Sequence, residues 1–344
     1  MMTMLSVLDE KLLNTFMAEN HESLKALLDK FSPPIPEFWG FETDLCDHSS
    51  KADILIEAKP FTTTWNHFED IHYKLPRTSL LNLPFREANT ATHQVRNSWL
   101  EFDSIHLDDF STVVPSLFWG PTGSGLTNRD HALWILTNLF PKTNFNIEQF
   151  TLAIEHWPEN IEIMQLGFMY PRADKYLRIV LKSLSFSEMM SFLVENKYDF
   201  MSEAFYQFNT FPATTRYSLC LGFLNDLNVN QFAFEIYQPW NDASNWNNLL
   251  ETVRTHFIGI EIYSIKLDCL LDLYTRKEIN SIYHGKYADP NDLIVSTIQE
   301  LGLHHLKVSF NGSKVKSLKA YVGVITPQLR VDQFGHASLA SERS

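Results

Sequence analysis

The sequence predicts an α+β protein in which a ten-stranded antiparallel sheet curls into a barrel, polar face inward and helices outside. Three observations predict it. Short segments alternate apolar and polar residues with period two, as in Ile54-Leu-Ile-Glu-Ala-Lys59, Tyr176-Leu-Arg-Ile-Val-Leu-Lys182 and Phe232-Ala-Phe-Glu-Ile-Tyr237, so their charges share one face. Most of these segments come in pairs that read as hairpins, separated by one or two helical stretches able to cover the apolar face. A sheet of about ten strands with one apolar face curls or closes, and closure removes exposed edges. The alternative is two α+β domains, divided near residue 160, each with an open antiparallel sheet.

The elements follow in order. Residues 5–31 have helical spacing (Leu12, Leu13, Phe16, Met17; Leu24, Leu27, Leu28, Phe31), broken near Asn20 and stopped by Ser32-Pro-Pro-Ile-Pro36. Strands 38–45 and 52–59 pair across a polar turn. Residues 61–96 carry no clear period, and Pro76 and Pro84 argue against one long helix there. Strands 98–103 and 114–119 lead into the loop Gly120-Pro-Thr-Gly-Ser-Gly125, then helices at 129–140 and 146–156. Segments 163–170 and 175–183 form a hairpin over Pro171-Arg-Ala-Asp174. Helix 185–196 opens on Ser185 with Glu188 three residues later, the spacing of a capping box. A short helix at 199–208 precedes strands 215–223 and 230–238, joined by Asn225-Asp-Leu-Asn228. Helix 243–255, strand 257–263, helix 265–280 and helix 290–301 come next, the last opened by Pro290 and ended by Gly302. A final hairpin, 304–310 with 316–323, turns on Asn311-Gly312. Residues 1–325 are expected as one domain and 326–344 as a polar, frayed tail.

Composition narrows the function classes. A formal net charge of -13 repels phosphate backbones and argues against nucleic-acid binding. Cys46, Cys220 and Cys269 are far apart and odd in number, so no disulfide framework or C-x-x-C pair is expected, and a reducing, cytoplasmic setting fits. No apolar run is long enough for a membrane span, and Met1–Glu10 lacks the pattern of a signal peptide. With 26 Phe in the chain, aromatic packing of the core is the first explanation of its aromatic content. The loop at 120–127 lacks the Gly-Lys-Ser/Thr ending of a phosphate loop. Asp44-Leu-Cys-Asp-His48 has ligand-type residues without a second cluster, so no metal site is expected. His304-His305 at a strand start places one ring on each face.

If the polar faces line a lumen, it receives Glu57, Lys59, Trp99, Glu101, Asp103, Gln165, Tyr176, Arg178, Lys182, Arg216, Glu235, Tyr237, Glu261, Tyr263, His305, Lys307, Lys319 and Tyr321. Clustered Lys and Arg on rigid strands suit a diphosphate, Arg as a bidentate donor and Lys as a point charge. Tyrosine faces shield a carbocation, and a buried Glu takes a proton. The same alternation also fits a solvated sheet face with Glu–Lys pairs across strands.

This pattern resembles the ABBA prenyltransferases, whose ααββ units build a ten-stranded antiparallel barrel with helices outside. The hairpin Leu303-His-His-Leu-Lys-Val-Ser-Phe310 with Ser317-Leu-Lys-Ala-Tyr-Val-Gly323 is similar to the closing strand pair of that family, where basic and tyrosine residues face the diphosphate. Gly167-Phe-Met-Tyr-Pro-Arg172 with Tyr176-Leu-Arg-Ile-Val-Leu-Lys182 resembles an inner pair, and Ile54-Leu-Ile-Glu-Ala-Lys59 the first inward strand. The resemblance implies that Lys59, Arg178, Lys182, Arg216, Lys307 and Lys319 bind an allylic diphosphate. It implies that Tyr176, Tyr237, Tyr263 and Tyr321 shield the allyl cation, and that Glu57 or Glu101 positions and deprotonates an aromatic small molecule or peptide side chain. No D-D-x-x-D motif occurs, since Asp108-Asp109-Phe does not extend to one. The resemblance therefore implies no required cofactor, with Mg²⁺ as an optional aid. Beside it stands another class, a non-catalytic binding or partner protein of a biosynthetic pathway.

Overall fold

The computed structural model describes residues 7–30, 38–58, 93–104, 115–139, 150–151, 154–155, 157–169, 177–223, 229–239, 242–257, 264–273, 275–284, 293–326, 328–331 and 337–339. Its centre is a closed barrel. Strands β1 (Phe38–Asp44), β2 (Asp53–Ala58), β3 (Val95–Phe102), β4 (Ser116–Pro121), β5 (Ile163–Phe168), β6 (Leu177–Leu181), β7 (Arg216–Phe223), β8 (Val229–Tyr237), β10 (Leu293–Asn311) and β11 (Lys314–Ile325) form the ring, and β11 returns to β1. Every pairing is antiparallel. The ring draws strands from both halves of the chain, which rules out two separate open sheets.

The outward faces are the apolar ones. Ile54, Ile56, Leu100, Phe102, Leu166, Ile179, Leu181, Leu219, Leu221, Phe234, Ile236, Leu306, Val308, Leu318 and Val322 are buried in one continuous core. Helices lie over it: α1 (Glu10–Phe16), α2 (His21–Lys30), α3 (Gly125–Asn138), α4 (Phe186–Glu195), α5 (Asp199–Tyr206), α6 (Ala243–His256) and α7 (Ser264–Leu271). Many of the phenylalanines sit in this layer. Phe205 of α5 meets Phe234 of β8 at 4.8 Å and Tyr217 of β7 at 4.9 Å, edge-on or tilted. Such ring pairs contribute about 0.5–1.5 kcal/mol beyond their area burial. Local signals place the ends. Asp9 caps α1 by accepting from the Leu12 amide, and Ser185 and Glu188 form the complete capping box of α4.

The hairpins β1–β2, β3–β4, β5–β6, β7–β8 and β10–β11 turn at one end of the barrel, and the helical crossovers leave from the other. At the β10–β11 turn Asn311 pairs with Lys314, and Gly312 takes φ 60°, the left-handed region that Asn-Gly turns require. The turns at 171–174 and 225–228 lie outside the described residues, as do the proposed strand residues 258–263.

The C-terminal third departs from expectation. Residues 275–284 form strand β9 and residues 293–301 belong to β10, where helices had been expected. The β-branched run Ile294-Val-Ser-Thr-Ile298 favours a strand, and Gly302, expected as a helix stop, pairs with Gly323. At 19 residues β10 spans roughly 60 Å, against about 17 Å for the five of β6. It therefore runs past the rim. Beyond the rim it carries β9 on one edge and β12 (Gln328–Val331) on the other, with β13 (Ala337–Leu339) beside β12. These last two strands fall where a frayed tail had been expected.

Candidate functional site

Strand alternation directs the polar faces into the barrel, where two chambers stack along its axis. The upper one, about 560 Å³, lies toward the helical crossovers. Phe38, Leu55, Trp99, Phe118, Met164, Val180, Tyr237 and Tyr321 give it an aromatic and apolar wall. The lower one, about 300 Å³, lies toward the hairpin turns and is more polar, with Lys316, Lys319, Ser309, Ser317 and Asp44 in its wall. Arg178 and Lys307 line both. They belong to a belt of charge that divides the lumen.

The belt is built from matched pairs. Arg178 Nη1 on β6 lies 3.6 Å from Glu101 Oε2 on β3. Lys307 Nζ on β10 lies 3.4 Å from Glu235 Oε1 on the adjoining β8. Lys319 Nζ on β11 donates to Glu42 on β1 and lies 3.8 Å from Asp53 on β2. Glu42, Glu101, Glu235 and Lys307 are all buried. Arg178 also lies over the ring of Phe118, its guanidinium carbon 5.7 Å from the centroid. Phe118 can lie flat there because its register partner is Gly167, where a Cβ would overlap the ring.

Burial opposes the ionised forms of Glu42, Asp53 and Glu235, and neighbours decide the outcome. At Glu42 burial is the largest single influence, but the charges of Lys319, Lys307 and Arg178 and the Lys319 hydrogen bond together outweigh it and hold the carboxyl below its usual range. At Asp53 burial wins. It pushes the carboxyl up to about 7 against the pull of Lys319, and the Glu42 charge adds to the rise. Lys319 is itself raised, since Glu42 and Asp53 overcome its burial.

Glu235 accepts hydrogen bonds from two neighbouring side chains, from Tyr237 at 2.5 Å and from the Cys220 thiol at 3.0 Å. Burial works against its charge, while His305, Lys307 and these donors hold its pKa down. Burial also drives His305 well below 6.5. A neutral His305 lends Glu235 little charge, so Lys307 and the two hydrogen bonds carry the effect. Burial and the Glu235 charge push Tyr237 and Cys220 upward, which keeps both protonated as donors.

The expected site residues divide into groups. Arg178, Lys307, Lys319, Glu101 and Tyr321 come together in or beside the belt, and Tyr237 closes over Glu235. Glu57 on β2 stands opposite Trp99 and accepts from Asn97 at 2.5 Å; Trp99 and Asn97 line the upper chamber, and Glu57 lies behind them. Arg216 reaches the upper chamber only at its rim, 56% exposed and 3.7 Å from Glu188 at the start of α4. Lys182 does not join them. Its ammonium is 57% exposed and pairs with Glu162 at 2.5 Å, because β6 has already left the lumen there. Lys59, Tyr176 and Tyr263 lie outside the described residues.

Several lumen residues had not been assigned a role. Glu42 was legible, since Phe38, Gly40 and Glu42 alternate with the outward Trp39 and Phe41. Asp53, Phe38, Phe118 and His304 had no comparable signal. The segment Asp44–His48 is a turn: Asp44 accepts from the Cys46 amide at 2.8 Å, Asp47 accepts from the Ser49 amide at 3.0 Å, and Lys266 donates to the carbonyls of Asp44 and Ser49. Among the described residues no group of three or more His, Cys, Asp or Glu is placed to hold a metal ion. Among them, too, no helix is long and apolar enough to cross a membrane.

No family model matches the chain, and no curated protein matches it in sequence. Among solved structures it is similar to AnaPT from Neosartorya fischeri, a prenyltransferase, at 14% identity and a TM-score of 0.42. That match covers 85% of this chain and 79% of the other. A likeness this loose transfers no chemistry. What the chain is shown to have is its own closed ten-stranded antiparallel barrel with helices outside.

Proposed function

We propose that this chain transfers an allylic isoprenoid from its diphosphate to an aromatic small molecule or a peptide side chain. One observation carries the reading: an aromatic chamber of about 560 Å³ ends on a belt holding Arg178, Lys307 and Lys319. A diphosphate at the belt meets three cations on three separate strands. Its hydrocarbon tail then lies among Trp99, Phe118, Tyr237 and Tyr321. Heterolysis of the C1–O bond sends the electron pair to pyrophosphate, where the belt cations stabilise it. The ring faces and buried carboxylates stabilise the allyl cation. The acceptor forms its new bond to C1 and loses a proton, with Glu101 lining the chamber for that role and Glu57 reaching it only through Asn97. Mg²⁺ is not required in this reading, so transfer persists in excess chelator.

The test is direct. The protein is incubated with dimethylallyl, geranyl or farnesyl diphosphate and a panel of indoles, phenols and Trp- or Tyr-containing peptides, and mass spectrometry reads the added isoprenoid. A diphosphate held at about 100 times its Kd adds roughly 2.7 kcal/mol of stability. Arg178→Met abolishes that gain, and Arg216→Met at the rim retains most of it. No transfer and no stabilisation with any of the three donors would sink the reading.

One observation favours a non-catalytic binding protein instead. Each belt cation already faces a carboxylate, so a diphosphate has to displace Glu101, Glu235 or Glu42. Stabilisation by a diphosphate-free aromatic ligand alone, with no transfer, would select that second reading.

A further inference from the structure

His304 and His305 are consecutive, yet both line the upper chamber. Regular alternation forbids this. The cause is a β-bulge: the β10–β11 register pairs Leu303 with Val322 and His305 with Tyr321, leaving His304 as the extra residue. Leu303 and Leu306 on either side point outward into the core. Bulges of this kind re-aim side chains and concentrate beside active sites.

The two rings form a unit. His304 Nδ1 lies 2.7 Å from His305 Nδ1, so one nitrogen donates and the other accepts. His305 Nε2 is buried without a hydrogen-bond partner and lies 3.9 Å from Glu235 Oε1. Only one tautomer pair suits a carboxylate in that place. His305 carries its proton on Nε2, facing Glu235, and accepts on Nδ1 from His304 Nδ1–H, which leaves His304 Nε2 as a lone pair. The ring of His305 stacks on Tyr321 at 3.9 Å between centroids, and His304 meets Phe38 edge-on at 5.1 Å. Among the described residues, titratable groups facing the pair include Glu235 and Tyr237 from β8, Tyr321 from β11 and Lys307 from β10 itself.

We propose that His304 is the proton acceptor of the transfer reaction and that His305 and Glu235 are its positioning residues. The inference rests on the prenyl-transfer reading and replaces Glu57 and Glu101 in the base role. The balance is simple. As the acceptor bonds to the allyl C1, its displaced proton passes to His304 Nε2. The imidazolium so formed donates from Nδ1 to His305, and the Glu235 carboxylate beyond His305 offsets the new charge. The proton then leaves to water at the upper mouth. Both imidazoles are neutral at the outset, since burial lowers His304 to about 4 and holds His305 well below its ordinary value. A base this weak suffices, because a cationic adduct is a strong acid.

Two measurements on the full chain decide it. Selective ¹⁵N labelling of histidine, assigned with His304→Gln and His305→Gln, reads the tautomers directly. The expected result is His304 protonated on Nδ1 and His305 on Nε2, with the His305 signals moved by Glu235→Gln. Two independent Nε2–H rings, unmoved by Glu235→Gln, overturn the pair whether or not the protein transfers isoprenoids. In the transfer assay, His304→Ala lowers kcat at least 100-fold, leaves KM for the diphosphate within threefold, and recovers activity with added imidazole. Retention of kcat by His304→Ala, or no rescue by imidazole, overturns the base assignment. A wild-type protein with no transfer at all sinks the prenyl-transfer reading and the base role together, and the labelling result then stands on its own.

Discussion

Replacing Asp53 with asparagine tests how the belt balances its charges. Asp53 lies opposite Glu42, and both compete for Lys319. Burial, with Glu42 beside it, raises the Asp53 pKa from 3.8 to about 7. A carboxyl raised in this way favours the folded state while it is protonated. Its contribution is fully present below the unfolded value and is lost as pH rises to about 7. Asparagine never ionises, and its carbonyl can still accept from the Ser104 amide, which bonds Asp53 at 2.7 Å. Relative to wild type, Asp53→Asn therefore gains stability as pH rises. Each pH unit is worth about 1.4 kcal/mol within the window, so the gain is roughly 3 kcal/mol between about pH 4.5 and pH 7 and level above it. The side chain is 16% exposed, so solvent screening removes little of this. Urea unfolding at closely spaced pH values, with a common slope, measures the difference. A difference flat across the window refutes the reasoning. One that falls with pH means that the Lys319–Asp53 pair, not burial, governs Asp53.

Three other substitutions probe the frame around the site. Lys319→Met takes from the buried Glu42 carboxylate its nearest cation and leaves only the charges of Lys307 and Arg178, which costs about 3 kcal/mol at pH 7 and less at pH 4, where protonating Glu42 is easier; thermal melts at the two values read the contrast. Gly167→Ala drives a methyl into the Phe118 ring and costs about 1–3 kcal/mol. It also shifts Arg178 off Phe118, so diphosphate binding weakens more than stability alone explains, and unchanged binding would separate Phe118 from Arg178. Ser185→Ala breaks the α4 capping box for about 1 kcal/mol and, since neither Ser185 nor Glu188 lines a chamber, leaves ligand binding intact by calorimetry.

Much of the barrel was legible because its physics is local. Period-two alternation in Ile54–Glu57, Leu177–Leu181 and Phe232–Tyr237 assigns faces one residue at a time, and Asn311-Gly312 and Ser185…Glu188 mark a turn and a helix start over four residues or fewer. Residues 275–280 and 293–301 were misread because apolar spacing alone does not separate a short helix from a strand. There the β-branched residues were the better guide, and pairing along the projecting part of β10 gives them partners. Lys182 misled for a related reason: alternation says which face a side chain takes, not how far along its strand the lumen extends.

The sequence by itself determined the parity of the strand segments it revealed, and with it that Glu101, Arg178, Glu235, Lys307, Lys319 and Tyr321 share a face; parity follows from backbone geometry within a few residues. Only the tertiary structure decided which of them meet. Arg178 finds Glu101 and Lys319 finds Glu42 across 77 and 277 residues of chain, because ring closure and register set those neighbours. The bulge at His304 also belongs to the tertiary structure. It exists because Leu303 and Leu306 must both reach the outer core, and that demand comes from packing between strands and helices rather than from any period in the chain.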